Sequence, residues 1–135
     1  MHSTLRQKIL FKHCDPAGIV FYPRYFEMIN DAVEAMFADV LDWPFEDLHQ
    51  TGAVPTASFQ VDFKAPSRHG DVLDLNLTIK AIGGASLRLQ IVAQSGEEVR
   101  FVADQVLVCI DQNGRPLRWP DAIRAKIDKE IGDPL

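Results

Sequence analysis

Residues 13 to 25 read His13-Cys14-Asp15-Pro16-Ala17-Gly18-Ile19-Val20-Phe21-Tyr22-Pro23-Arg24-Tyr25. They bring together a carboxylate, two loop-punctuating residues and a helix start. Pro16 and Gly18 put Asp15 on a loop, and Pro23 suits the first helical position, where its missing N–H costs nothing. A helix opening there presents backbone N–H groups with no intrahelical partner and the positive end of its dipole. A carbonyl held between the loop and the helix meets a nucleophile or base on one side and an oxyanion site on the other. That is the layout of an acyl-transfer or hydrolysis centre.

Asp15 has two possible roles, and the residues alone leave both open. Its carboxylate attacks the carbonyl carbon directly, or it orients and deprotonates a water that does so. Pro23 cannot donate, so the Tyr22 N–H is the leading oxyanion donor and that of Arg24 the second choice. Loss of one such donor costs on the order of 3 kcal/mol of transition-state stabilisation. Gly18 lets the backbone approach a ligand closely or take a positive φ. His13 and Cys14 do not read as a nucleophile pair, because neighbours on an extended chain point to opposite sides. His49 and His69 carry no functional signal.

The elements that position this loop follow from periodicity. Segment 5–12 alternates imperfectly and predicts a short strand. From Pro23 to Val40, Phe26, Ile29, Val33, Met36, Phe37 and Val40 recur at spacings of three and four, the helical period. Ala32 and Ala35 widen the apolar stripe, while Arg24, Glu27, Asp31, Glu34 and Asp39 mark the wet face. At about 1.5 Å per residue this helix spans roughly 27 Å, and so wide a stripe predicts a sheet wrapped around it. Trp43-Pro44 ends the element, and a short helical turn fits 45–50.

The second half alternates with period two. Ala57, Phe59, Val61 and Phe63 form one apolar row; Leu73, Leu75, Leu77 and Ile79 a second; Leu87, Leu89 and Ile91 a third. Such rows predict antiparallel strands with one face on a core. Gly83-Gly84 and Ser95-Gly96 mark tight turns. A fifth strand over 97–110 ends in Val106-Leu107-Val108-Cys109-Ile110, apolar on both faces and therefore expected to be covered on both sides. Asp111-Gln112-Asn113-Gly114 closes it with turn chemistry. A final amphipathic helix fits 120–131, with Ile123, Ile127 and Ile131 four apart. The order is α+β: one strand, a long helix, then four strands, with the helix on one face of an antiparallel sheet.

Composition bounds the function. A chain of 135 residues makes one domain, here residues 1–135, long enough to bury roughly two-thirds of its unfolded surface. A net charge of -5 without a basic cluster argues against nucleic-acid binding. No apolar run approaches membrane-spanning length and the N-terminus lacks an apolar leader, so the expectation is a cytoplasmic protein with no membrane partner. Two cysteines, Cys14 and Cys109, suggest neither a disulfide framework nor a zinc site, and Cys109 reads as a small core residue.

The run from Asp15 to Tyr25 strongly resembles the active-site loop of the 4-hydroxybenzoyl-CoA thioesterase family, hotdog-fold acyl-CoA thioesterases. Asp71-Val72-Leu73 and the 107–110 strand followed by Asp111 are similar to the family pattern too, so the resemblance covers roughly residues 5–130. It implies a hotdog fold, a five-stranded antiparallel sheet wrapped around a long central helix. It also implies dimers paired sheet to sheet, often associated into tetramers, with acyl-CoA lying across the subunit boundary.

By that resemblance Asp15 is the catalytic aspartate and the Tyr22 N–H polarises the thioester carbonyl. Gly18, Phe21, Tyr25, Arg68 and Arg88 are the substrate-binding candidates, and Lys64, Arg68 and Arg88 could meet CoA phosphates. No metal or redox cofactor is implied. Two departures stand out. The basic cluster that the hydroxybenzoyl-specific member carries before its fourth strand is reduced here to Arg88, and His13 replaces a commonly acidic residue. The expected activity is hydrolysis of a CoA thioester, aromatic such as 4-hydroxybenzoyl-CoA or short to medium aliphatic, to free acid and CoA. A hotdog hydratase or dehydratase and a non-catalytic acyl-CoA binding module are the alternatives.

Overall fold

A computed structural model describes residues 3–132. Strand β1 (Ser3–Lys8) leads into a 3-10 turn (Phe11–His13), the loop, and helix α1 (Pro23–Asp39). A short helix α2 (Phe45–Leu48) and the two-residue strand β2 (Gly52–Ala53) follow. Then come β3 (Thr56–Phe63), β4 (Val72–Ile82), β5 (Ser86–Ser95), β6 (Glu98–Val108), the two-residue β7 (Ile110–Asp111) and helix α3 (Asp121–Gly132). The main sheet has five strands in the order β1-β4-β5-β6-β3, with every neighbour antiparallel.

The alternation rows become the sheet's inner face. Leu73, Leu75, Leu77, Ile79, Leu87, Leu89, Ile91, Ala93, Phe101, Ala103 and Leu107 are buried there. Helix α1, 17 residues long, turns Tyr25, Met28, Ile29, Ala32, Val33, Met36 and Phe37 into the same core. Its predicted bounds hold to within a residue. The buried stripe is centred on Tyr25, Met28 and Ile29, while Phe26 and Val40 lie at its margin. Asp31 and Glu34 face water as expected. Helix α3 buries Ile123 and Ile127, whereas Ile131 stays exposed.

Three expectations need correction. The first strand ends at Lys8 instead of running to residue 12. The chain turns at once because the Leu10 N–H donates to His13 Nδ1 (2.9 Å) and the His13 N–H to the Leu10 carbonyl (3.0 Å). The strand expected over 97–110 stops at Val108, since the Cys109 N–H turns to the Ala85 carbonyl (2.7 Å) and Ile110–Asp111 pair with β2. Its end is only partly covered on the outer side, where Val106, Val108 and Ile110 are half-buried. Strand β3 is an edge, and its apolar row is not all core: Ala57 is exposed and Phe63 is 49% exposed.

Candidate active site

The loop between the 3-10 turn and α1 is a small structure pinned by backbone hydrogen bonds. The Gly18 N–H donates to the Asp15 carbonyl (2.9 Å), closing a turn over Pro16-Ala17 that needs Gly18 at φ +82°. The Asp15 N–H donates to the Ile19 carbonyl (2.9 Å), Cys14 bridges to Val20, and the Phe21 N–H donates to the His13 carbonyl (2.9 Å). The far side is equally fixed, with the Val20 N–H on the Ser67 carbonyl (2.8 Å) and Ile19 bridged to Arg68. Backbone pairing on both sides sets the entry angle of α1.

Asp15 is half-buried, and its Oδ1 accepts the Ala17 N–H at 2.9 Å. That Asx turn engages one carboxylate oxygen and fixes the side chain's orientation. Asp15 lines a cavity of about 270 Å³ with Lys12, Cys14, Pro16, Phe21 and Arg24. On the other side of the 19–22 segment, Tyr22 and Tyr25 line a cavity of about 300 Å³ with Ile19, Val20, Phe63 and residues 64–66. Tyr22 caps α1 with φ -52° and ψ -33°, and Pro23 follows at the first position. The Arg24 N–H is taken by the Phe21 carbonyl (2.9 Å) and the Tyr25 N–H by that of Tyr22 (3.0 Å). Among the described residues the Tyr22 N–H has no partner. It is therefore the donor left over at this helix start.

Electrostatics around the loop are shaped by burial. His13 is buried, and burial lowers its imidazole's pKa, with Lys12 and Arg24 adding to the effect and Glu27 opposing it. Its Nδ1 already accepts the Leu10 N–H. Burial raises the Tyr25 phenol, against hydrogen bonding from Ser67 and the nearby Arg100 charge. The Tyr25 ring packs on Phe101 (4.9 Å between centroids) and stacks on Phe63 (5.9 Å), and Tyr22 meets Phe63 edge-on (6.1 Å).

The sequence candidates thus separate. Asp15 and Phe21 share one cavity, Tyr22 and Tyr25 the other, and Gly18 shapes the turn beside them. Arg68 touches the loop through its backbone. Arg88 is not brought to the loop within the chain: it lies on the outer sheet face in a cleft with Ser58, Gln60 and Asp104. The exposed Lys12 side of the Asp15 cavity, the Phe63 wall and the Ser67 anchor carry no site signal in the sequence. Arg24 has a local signal, since it follows the helix-opening proline.

A helix backed by a five-stranded antiparallel sheet, entered from a loop that carries a carboxylate, defines an α+β architecture. The chain belongs to the thioesterase-like superfamily, whose family model matches residues 9–127. It is 30% identical over 123 residues to the 4-hydroxybenzoyl-CoA thioesterase of Pseudomonas sp. strain CBS-3, covering 85% of this chain and 87% of that one. Its fold matches a 1,4-dihydroxy-2-naphthoyl-CoA thioesterase from Synechocystis with a TM-score of 0.87 at 21% identity, over 98% of both chains. A thioesterase from Thermus thermophilus, solved with coenzyme A and zinc, matches with a TM-score of 0.84 at 28% identity, over 98% of this chain and 96% of that one. The fold is the hotdog fold of these enzymes.

Proposed function

We propose that this protein hydrolyses a coenzyme A thioester to the free acid and CoA, with the Asp15 carboxylate and the Tyr22 N–H as its working groups. The observation that carries this reading is a half-buried, oriented carboxylate on the loop that leads into α1, whose start leaves the Tyr22 N–H without a partner among the described residues. On one route a carboxylate oxygen attacks the thioester carbon, the C–S bond breaks, CoA leaves as thiolate, and water cleaves the resulting mixed anhydride. On the other, Asp15 takes a proton from the water that attacks. In both, the negative oxygen that develops meets the Tyr22 N–H, where a preorganised donor counts most.

The acyl group is aromatic, such as hydroxybenzoyl, or a short to medium aliphatic chain. The aromatic option draws support from the Pseudomonas relative's named substrate and from the Phe21, Tyr22 and Phe63 rings around the cavities. The working unit is a homodimer, or a homotetramer built from it, with the long central helix embraced by the sheet. In favour are the edge of β3, unpaired among the described residues, the exposed Phe63 at its end and the Tyr22 ring packed on Phe63. A hydratase reading is disfavoured at His13, because Nδ1 accepts the Leu10 N–H, which puts the ring proton on Nε2 and leaves no nitrogen to act as a base.

The deciding experiment follows thiol release from a panel of CoA thioesters, with Asp15→Asn beside the wild type. Turnover by the wild type that falls by about 10²–10⁴-fold in the variant supports the reading. Undiminished cleavage by Asp15→Asn removes Asp15 from the chemistry. No thiol release from any thioester leaves an acyl-CoA binding module.

A further inference from the structure

Strand β6 carries an irregularity at a residue outside both cavities. Its pairing with β5 runs Ala93 to Phe101 and then Gln94 to Val99, so Arg100 is an extra residue bulged out of the ladder. A bulge of this kind bends the strand and re-aims a side chain. The carbonyl of Arg100 accepts both the Lys64 N–H (2.8 Å) and the Ala65 N–H (3.2 Å). Its guanidinium turns the same way: Nη1 donates to the Asp71 carboxylate (2.8 Å), the Ser67 hydroxyl (3.1 Å) and the Pro66 carbonyl (3.2 Å). Nε lies 2.7 Å from Glu98 Oε1 as an ion pair without hydrogen-bond alignment.

The Arg100 side chain is 11% exposed and Ser67 fully buried, while Asp71 and Glu98 stay open to water on their outer sides at 32% and 61%. Burial alone would pull the guanidinium down, but Asp71 and Glu98 outweigh it and leave Arg100 above its ordinary value. Asp71 is held below the usual carboxylate range, first by Arg100 and then by the Arg68 N–H. A carboxylate and a guanidinium in this geometry form a stiff tie, since removing the carboxylate leaves a largely buried guanidinium short of a charged partner.

The segment so clamped, 64–71, is the one that holds the catalytic loop from behind. The Ser67 carbonyl takes the Val20 N–H, and Arg68 bridges to Ile19. Tyr22 lies two residues beyond Val20. We infer that Arg100 is a positioning residue for thioester cleavage: through Asp71 and Ser67 it sets the 19–22 segment, and with it the Tyr22 N–H, relative to Asp15. This rests on the function proposed above. It assigns no contact between Arg100 and substrate.

The test compares wild type, Arg100→Met, Arg100→Lys and Asp71→Asn as full-length proteins, reading kcat, KM and amide exchange at Val20. Arg100→Met and Asp71→Asn should each lower kcat by about ten- to a hundredfold while KM stays near wild type, the size expected for a small misplacement of working groups. The double variant should be no worse than either single one, because both break one tie. Arg100→Lys should recover part of kcat. Val20 should exchange faster in the variants while the Leu75 and Leu89 amides keep their protection.

Equal kcat in wild type and Asp71→Asn, or unchanged Val20 exchange in the variants, overturns the inference. If Arg100→Met does not fold, the isosteric Asp71→Asn and Arg100→Lys still decide it. A wild type that cleaves no thioester refutes the proposed function instead, and the Val20 readout then still tests the tie.

Discussion

The oxyanion donor proposed at Tyr22 belongs to the main chain, so exchanging the side chain and deleting the donor are different experiments. Tyr22→Ala keeps the N–H and should leave kcat close to wild type. Tyr22→Pro removes the N–H at a residue whose φ of -52° already suits proline. It should lower kcat by about 10²–10³-fold. His13 supplies a second residue-scale expectation. Its folded pKa lies below its unfolded value, so the unfolded chain takes up the proton first as pH falls. The stabilisation is complete above the unfolded value of about 6.5 and is lost as pH drops through the folded one. Protonation would also set an N–H of His13 against the Leu10 N–H. Thermal melts between pH 8 and 5 should show this loss, and His13→Asn should flatten that part of the curve.

At the scale of elements, the turn before α1 depends on one backbone conformation. A Cβ on Gly18 would meet no atom within 4 Å, yet φ is +82°, so Gly18→Ala costs backbone strain and not a clash. A loss of about 1 kcal/mol in denaturant unfolding is expected. Helix α1 is legible in the sequence because a proline start, a three-four apolar period and Trp43-Pro44 all agree. The strands are legible wherever alternation and turn glycines coincide. The end of β6 is not, because Cys109 breaks the ladder through a backbone bond to Ala85 that no side-chain pattern announces. Arg100 is hidden for a related reason. The row Val99, Phe101, Ala103 alternates without interruption, so the bulge that places Val99 opposite Gln94 leaves no trace. Asp15 and Tyr22 are legible from local chemistry, whereas Ser67 reaches the loop through a carbonyl that takes the N–H of Val20, 47 residues away in the chain.

For the whole molecule, the proposed assembly makes a direct prediction. Sedimentation should give a mass of two or four chains, and Phe63→Asp, which puts a charge on the half-exposed wall beside β3, should yield monomers with little turnover. A charge-neutral change elsewhere on the outer face, such as Thr78→Ser, should alter neither. The two borders of the sheet are not alike. Strand β1 is six residues long and carries Arg6 and Lys8, with Arg6 held on Asp74 at 3.0 Å. Short length and lysine or arginine side chains discourage a further strand from joining. Among the described residues the β3 side is thus the more open to the pairing proposed above, and a sheet extended from one border only would close as a twofold pair instead of an open filament.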